Sequence, residues 1–427
     1  MIQGKWIPPV LLASVLACGV SWAQESDNTL RERIDKWVAP LVDAGHLSGS
    51  FLAARGNAVI YERSWNIANR ETNAPFTPQT KSCVASVTKP TTVIIAAKLI
   101  EDGVVNLTDP VSNWLPDFPK AEQIQFQHLL FHRSGIPHRL TAPDDENVQR
   151  TAADMVELAA KREFDFKPGT RYQYSSGGYS VLIRVMELAS GKDYQTLLAE
   201  TILEPLNLSN TVHPSQKSDI KEAATSYRWT VDGQEPGADM DYSFLVGAGS
   251  LFSTPRDLLA ISRALVDGKF GERARRQLLR GGKLRWNGIT NHYRAFLEYD
   301  AKTDVTVVLV ANQMTGANDL LRQNIPKIIA GETIEPYSVP RPNVVKLPAD
   351  LLKRYAGQYN IAGSPMPVRA KDGALFANDW ILLPTSETAF YSPQDYSTVT
   401  VKLEDGVPVE LDWAGMKCRR LGKLEDE

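Results

Sequence analysis

A serine and a lysine three residues apart stand at the start of a long apolar run. Ser86-Val87-Thr88-Lys89 is followed by residues 90–100, which are mostly apolar. If this run is a helix, Ser86 and Lys89 share one face, one turn apart. A serine hydroxyl becomes a strong nucleophile only when a base takes its proton, and the free N–H groups at a helix start favour negative charge. The spacing therefore indicates attack of Ser86 on a carbonyl group, with Lys89 as proton acceptor.

Lys89 can serve as a base only if its pKa falls below the usual value of about 10.4. Burial has this effect on lysine, and the apolar residues downstream favour burial here. The alternative is an N-cap serine beside a solvated lysine, because serine is a favoured cap. A second match, Ser218-Asp219-Ile220-Lys221, lies in a polar stretch with no apolar run behind it, so it is the weaker candidate.

Composition narrows the function classes. The 427 residues carry a formal net charge of −3 and no large basic cluster, so no nucleic-acid partner is expected. Apart from Cys18, only Cys83 and Cys418 are present, which is too few for a disulfide framework. We expect Cys83 to be a small buried core residue. His128 and His132 are four residues apart but have no glutamate between them, so neither a metal nor another cofactor is expected.

Residues 1–23 have the pattern of a signal peptide. Lys5 supplies the positive charge, residues 7–20 are apolar, and Ser21-Trp22-Ala23 puts small residues before a cleavage point after Ala23. The alternative is lipidation at Cys18, since Val15-Leu16-Ala17-Cys18 resembles a bacterial lipobox. Both alternatives predict a periplasmic or secreted protein, and a membrane is a predicted partner only if Cys18 is lipidated.

Strand patterns lie at both ends of residues 24–334, with helix patterns between them. Alternating apolar residues predict a hairpin over residues 50–63 that turns at Gly56-Asn57, and three later strands at residues 281–288, 292–299 and 306–311. Helices are predicted at residues 28–45, 90–100, 126–131, 151–161, 178–189 and 254–265. Short connections favour antiparallel pairing. We therefore predict an α+β domain with a helical insertion.

The C-terminal fifth of the chain has a different pattern. Residues 335–348 are rich in proline and are predicted to form a stiff linker. Residues 349–427 contain short alternating segments with turns at Asp372-Gly373 and Asp405-Gly406, which predict a small all-β domain. The predicted division is thus a signal peptide at 1–23, a hydrolase-like domain at 24–334, a linker at 335–348 and a β-domain at 349–427.

Four motifs, in order, resemble the serine β-lactamase and DD-peptidase superfamily. They are Ser86 to Lys89, His128 to Pro137, Tyr174-Ser175-Ser176 after a Pro-Gly-Thr turn, and Ala248 to Thr254 followed by Asp257. The likeness covers roughly residues 29–312 and is closest to the class C-like branch, which includes carboxylesterases. It implies a five-stranded antiparallel sheet with a helical subdomain, an active site between them, and a small C-terminal β-barrel.

The resemblance also implies roles for individual residues. Ser86 corresponds to the acylated nucleophile, Lys89 to its proton acceptor and Tyr174 to the proton relay. The family usually has Tyr-x-Asn where this chain has Ser176 in the asparagine's place. A serine offers one hydroxyl instead of an amide, which changes what can contact a substrate amide.

The third family motif, usually Lys-Thr-Gly or His-x-Gly, corresponds to Trp286-Asn287-Gly288. Gly288 is retained, and the N–H of Ile289 would be the second oxyanion donor beside that of Ser86. Trp286 carries no charge where the family often has a cation that binds a substrate carboxylate. Loss of such a charge-assisted bond costs about 1.5–3 kcal/mol.

This departure favours a carboxylesterase, or an amidase or peptidase that acts on uncharged or D-amino-acid-capped substrates. The alternative is a β-lactamase or D-Ala-D-Ala carboxypeptidase, which would need Arg285, His292 or Arg294 to replace the cation. The expected partner is a small molecule or peptide with an ester, amide or β-lactam carbonyl. A third possibility, from another class, is a catalytically silent binding or sensor protein with the same fold.

Overall fold

The computed structural model describes residues 27–142, 145–214, 220 and 222–424. The signal-peptide pattern, Cys18, and three residues of the second serine–lysine match (Ser218, Asp219 and Lys221) lie outside the described residues. Within the described ranges no helix is long and apolar enough to cross a bilayer.

The N-terminal part is built on a five-stranded antiparallel sheet, as predicted. The strands of this part are β1 (Gly49–Arg55), β2 (Ala58–Trp65), β3 (Ile67–Asn69), β4 (Ala74–Pro75), β5 (Ser82–Cys83), β6 (Tyr227–Thr230), β7 (Gly233–Pro236), β8 (Phe252–Ser253), β9 (Lys283–Thr290), β10 (Tyr293–Asp300) and β11 (Val305–Ala311). The five strands of the sheet follow the order β2-β1-β11-β10-β9. Because β1 pairs with β11, the two ends of this part share one sheet.

Helices cover both faces of the sheet. They are α1 (Asp27–Asp43), α2 (Thr88–Glu101), α3 (Phe126–Leu130), α4 (Ala152–Ala160), α5 (Ser176–Ser190), α6 (Tyr194–Leu198), α7 (Pro255–Val266), α8 (Gly271–Leu278) and α9 (Gly316–Ile329). One apolar core joins α1 and α9 to Phe51 and Phe296 of the sheet. A larger core joins the helical insertion to the opposite face, where Leu284 and Leu297 lie. No sequence pattern predicts α9, which runs through Pro326 and is stabilised by burial of Leu321 and Ile325.

Two helices matter most for the site. Eleven of the fourteen residues of α2 are buried, so this apolar helix forms the centre of the helical subdomain. The start of α5 is fixed by Ser175, whose Oγ accepts the N–H of Gly178 at 2.8 Å. Its end is fixed by Gly191, whose φ of 71° is the left-handed conformation that a glycine adopts at low cost.

A closed eight-stranded β-barrel follows the proline-rich segment, which confirms the predicted barrel fold. A short helix, α10 (Ala349–Tyr355), precedes strands β12 (Gly357–Ile361), β13 (Ser364–Lys371), β14 (Ala374–Ala377), β15 (Trp380–Pro384), β16 (Ala389–Ser392), β17 (Ser397–Glu404), β18 (Val407–Trp413) and β19 (Met416–Gly422). Closure leaves the barrel without free strand edges. Its interior is filled by side chains such as Tyr359, Phe390 and Leu411. The boundaries predicted for the individual domains remain a prediction.

Tyr396 joins the barrel to the N-terminal part. Its ring lies against Gly316, where a Cβ atom would come within 2.6 Å of it. The Tyr396 hydroxyl is 3.1 Å from Nδ1 of His46, and its ring stacks on Tyr337 of the proline-rich segment at 5.4 Å. The segment is therefore packed between the two parts of the chain. Both described cysteines, Cys83 and Cys418, are free and buried, which confirms the expectation for Cys83.

Candidate active site

Ser86 lies in a single 3-10 turn, Ala85–Val87, directly before α2. Ala85 has a φ of 47°, a left-handed conformation that costs energy for a residue with a Cβ atom. Strand β9 packs against this turn at Gly288, where a Cβ atom would lie 2.2 Å from the carbonyl oxygen of Val84 and 3.0 Å from the Ser86 nitrogen. Gly288 is therefore required for the edge of the sheet to approach the serine.

Lys89 is buried and points at Ser86. Its Nζ donates to Ser86 Oγ at 3.3 Å, to Ser176 Oγ at 3.2 Å and to the Ala248 carbonyl at 2.6 Å. Only 6% of the residue is exposed, so Lys89 is not the solvated lysine of the N-cap alternative. Burial lowers the pKa of Lys89 to about 7. A substantial fraction of the amine is thus free of its extra proton at neutral pH and can accept one.

Tyr174 reaches the same hydroxyl from the loop before α5. Its phenol donates to Ser86 Oγ at 2.8 Å, and Lys89 Nζ lies 4.6 Å from the centre of its ring. Burial raises the pKa of Tyr174, while the hydrogen bond with Ser86 opposes this shift. At neutral pH Tyr174 is therefore a protonated phenol, not a phenolate, and it can transfer its proton.

Ser176 occupies the first position of α5, and both of its polar groups are engaged. Its Oγ accepts from Lys89, and its N–H donates to Nδ1 of His138 at 3.1 Å. The side chain that replaces the family's asparagine thus contacts the lysine.

Strand β9 divides the third motif between two faces of the sheet. Trp286 is 7% exposed and belongs to the core under the helical subdomain. Asn287 points to the opposite face, where its side chain accepts from Arg294. Arg294 is itself buried and paired with Asp319 at 2.9 Å. The structure therefore brings Trp286 and Gly288 to the Ser86 side and directs the Asn287 side chain away from it.

Ile289 lies on the open edge of the sheet. The hairpin between β9 and β10 closes through Asn291 and His292, whose φ values of 41° and 66° fit a type I′ turn. In such a two-residue loop the flanking pair, Thr290 and Tyr293, is hydrogen-bonded, and bonding alternates along the ladder. The N–H of Ile289 therefore points outward from the edge strand, on the strand that packs against Ser86.

The three basic residues considered as replacements for the missing cation differ in environment. Arg294 is buried and forms an ion pair with Asp319. Arg285 alternates with Trp286, lies on the same face as Asn287 and is exposed. Burial lowers the pKa of His292, and nearby Asp379 of the barrel opposes that shift.

Two histidines, His132 and His138, flank Tyr174. His132 lies in the His128 to Pro137 motif, but the sequence assigns neither histidine an individual role. Their rings lie 4.6 Å and 5.5 Å from the Tyr174 ring. The signal in the sequence was a pair of histidines around the Ser134-Gly135 turn, six residues apart. The barrel also contacts the chain next to His138, because Asp379 forms an ion pair with Arg139 at 3.2 Å. In the described ranges no cluster of three or more His, Cys, Asp or Glu side chains could hold a metal ion.

The chain is similar in sequence to a hydrolase of Staphylococcus aureus. It is 26% identical to the teichoic acid D-alanine hydrolase of that organism over 227 residues, which is 53% of this chain and 55% of that protein. The chain thus spans about half the length of the curated relatives it matches.

Solved structures show the same fold. The D-amino acid amidase of Ochrobactrum anthropi aligns with a TM-score of 0.61 and 22% identity over 71% of this chain and 98% of that one. The octameric penicillin-binding protein homologue of Pyrococcus abyssi aligns with a TM-score of 0.62 and 19% identity over 92% of this chain and all of its own, 100%. The Beta-lactamase family model matches residues 34–286, more than half of the sequence. On this evidence the chain belongs to the β-lactamase family.

Proposed function

We propose that this protein is an extracytoplasmic serine hydrolase that works through an acyl-enzyme on Ser86. One observation carries the proposal: Lys89 Nζ and the Tyr174 hydroxyl converge on Ser86 Oγ, at 3.3 and 2.8 Å. Nucleophilic catalysis needs a hydroxyl with a proton acceptor and a proton carrier in contact with it. The extracytoplasmic location rests on the signal-peptide pattern of residues 1–23, with lipidation at Cys18 as the alternative form.

The proposed reaction has two halves. Ser86 gives its proton to neutral Lys89, directly or through Tyr174, while Oγ bonds to the substrate carbonyl carbon. The carbonyl oxygen becomes negative and accepts from the N–H groups of Ser86 and Ile289. The bond to the leaving group then breaks, and the leaving oxygen or nitrogen takes the proton back from Lys89 through Tyr174. Water then gives a proton to Lys89, directly or through Tyr174, while its oxygen bonds to the acyl carbon. The bond between that carbon and Ser86 Oγ breaks, and Oγ takes the proton, which releases the acid and restores Ser86.

The proposed substrates are esters or amides that need no carboxylate-binding cation. Support comes from Trp286, which is a buried apolar side chain where the family often has a cation in its motif, and from Arg294, which is paired with Asp319. Without such a cation a carboxylate substrate loses about 1.5–3 kcal/mol of binding. The relatives named for D-alanine ester and D-amino acid amide hydrolysis add D-amino-acyl groups to the proposed substrate class.

Hydrolysis assays with purified protein test this proposal. The wild type should hydrolyse p-nitrophenyl acetate and D-alanine p-nitroanilide with a higher kcat/KM than nitrocefin. Ser86→Ala should lose all three activities. A preference for nitrocefin would favour a β-lactamase or D-Ala-D-Ala carboxypeptidase. No turnover of any of these substrates, in a folded protein that takes up no acylating probe, would favour a silent binding or sensor protein.

A further inference from the structure

Two histidines, His132 and His138, accept hydrogen bonds from the backbone around Tyr174. Gln173, just before Tyr174, donates its N–H to the His132 carbonyl at 2.9 Å. Ser175, just after it, donates its N–H to Nδ1 of the same His132 at 3.2 Å. One residue therefore binds the backbone on either side of the tyrosine, with its ring 4.6 Å from the Tyr174 ring.

His138 binds the backbone N–H groups of the next two residues, Ser176 and Gly177, in a similar way. Its Nδ1 accepts the N–H of Ser176 at 3.1 Å, and its carbonyl accepts the N–H of Gly177 at 3.1 Å. These donors belong to the first turn of α5, where backbone N–H groups have no partner within the helix. The two histidines therefore hold the loop and helix start that carry both Tyr174 and Ser176.

The His132 ring also lies against Tyr179, a second aromatic residue near Lys89. The His132 and Tyr179 rings are stacked, with centroids 4.8 Å apart and planes 21° apart. Lys89 Nζ lies 4.6 Å from the Tyr174 ring centre and 5.5 Å from that of Tyr179. The His132 ring thus contacts both of the aromatic rings that lie near the Lys89 amine.

We propose that His132 and His138 are positioning residues, which fix the Tyr174 phenol against Ser86 by binding the backbone N–H groups around it. This inference rests on the proposed function, because it assigns the histidines a role through Tyr174. Both Nδ1 atoms must be unprotonated to accept, so the neutral rings carry their proton on Nε2. Burial, followed by the charge of Lys89, lowers the pKa of each histidine to about 4, which keeps both neutral near pH 7.

Paired substitutions separate the two contributions of each ring. His132→Phe keeps an aromatic ring and removes the acceptor, whereas His132→Asn keeps an acceptor near the position of Nδ1 and removes the ring. His138→Phe and His138→Asn form a second, independent pair at the rim of the site. The control is His128→Ala, because Nδ1 of His128 also accepts a backbone N–H, that of Gln125 at 3.1 Å, without ring contact to Tyr174.

The measurements are kcat and KM for p-nitrophenyl acetate, the thermal midpoint, and labelling of Ser86 by a fluorophosphonate. Each Phe variant should lose about 10–100-fold in kcat with KM within about threefold, because a misplaced proton carrier affects chemistry more than binding. The Asn variants should recover most of that loss. His128→Ala should lower the thermal midpoint and leave kcat within about threefold.

A double-mutant cycle decides whether the effect passes through Tyr174. In a Tyr174→Phe background, His132→Phe should cost less than about threefold more, because the group it positions is already absent. Additive losses, a Phe variant with wild-type kcat, or Asn variants no better than Phe would each overturn the inference. If a Phe variant fails to fold, its Asn partner must still hold kcat within about tenfold of the wild type. A wild type without Ser86 labelling would instead refute the proposed function itself.

Discussion

The Nζ atom of Lys89 lies 4.6 Å from the centre of the Tyr174 ring. The two side chains also reach one shared atom, Ser86 Oγ, at 3.3 and 2.8 Å. A proton can therefore pass among the serine, the phenol and the amine without any movement of the backbone. Both protonation state and geometry of this trio have measurable consequences.

Activity should rise with pH through the pKa of Lys89. Burial lowers this pKa to about 7, so the ammonium loses its proton, and becomes a base, as the pH passes that value. We expect kcat/KM for a neutral ester to rise about tenfold per unit below pH 7 and to level off above it. Lys89→Arg stays protonated and should abolish turnover. A profile that still climbs at pH 9–10 would contradict the assignment of Lys89 as the base.

Tyr174→Phe should lower kcat by at least about 10²-fold, the usual scale for loss of a proton-transfer group. The ring that contacts His132 remains, so the thermal midpoint should stay close to that of the wild type. Tyr172→Phe is the matched control, since Tyr172 is two residues away and 68% exposed. Steady-state kinetics with p-nitrophenyl acetate would show the difference. Equal kcat for the two variants would mean that the proton takes another path.

Gly288→Ala should cost about 10²-fold in kcat/KM, the scale of a displacement of about 1 Å in an active site. The added methyl would lie 2.2 Å from the Val84 carbonyl, so β9 and the turn that carries Ser86 must move apart. Gly422→Ala is the control, because no atom lies within 4 Å of a Cβ atom placed there. Wild-type kinetics for Gly288→Ala would show that the contact between β9 and this turn is not needed for activity.

Tyr396→Ala should loosen the barrel from the N-terminal part. The ring packs on Gly316 and Tyr337, and its hydroxyl bonds to His46, so its loss leaves the proline-rich segment less well packed. We expect limited proteolysis to cut between residues 335 and 347 faster than in the wild type, while Ser86 still takes up a fluorophosphonate. Loss of labelling in a folded variant would indicate that the docked barrel is part of the site.

Much of the fold could be predicted because local patterns carry it. The hairpin at Gly56-Asn57 and the cap-proline start at Thr254-Pro255 are signals within a few residues. Helix α9 escaped prediction because its apolar positions are interrupted by Pro326, and burial against α1 and the sheet holds it in place. Tertiary packing thus stabilises this helix although its local sequence pattern is weak.

The site divides in the same way. Ser86 and Lys89 were predictable because a spacing of three places them one helical turn apart, and Tyr174 because its motif resembles that of a known family. Ala248 and His132 lie in motifs that resemble the family, and His138 follows directly after one of them. Their contacts with Lys89 and with the backbone around Tyr174 join distant parts of the chain, so no local pattern indicates what these residues bind. The direction of Asn287 does follow from strand alternation with Trp286 and Gly288.

The most direct test of Ser86 as the nucleophile is intact-protein mass spectrometry after reaction with a fluorophosphonate, followed by peptide mapping. We expect one added adduct per chain, located on the peptide that contains Ser86. Ser86→Ala should show no adduct, whereas Ser218→Ala, at the second serine–lysine pattern, should be labelled like the wild type. An adduct that persists in Ser86→Ala, or that maps to another serine in the wild type, would contradict the claim that Ser86 is the nucleophile.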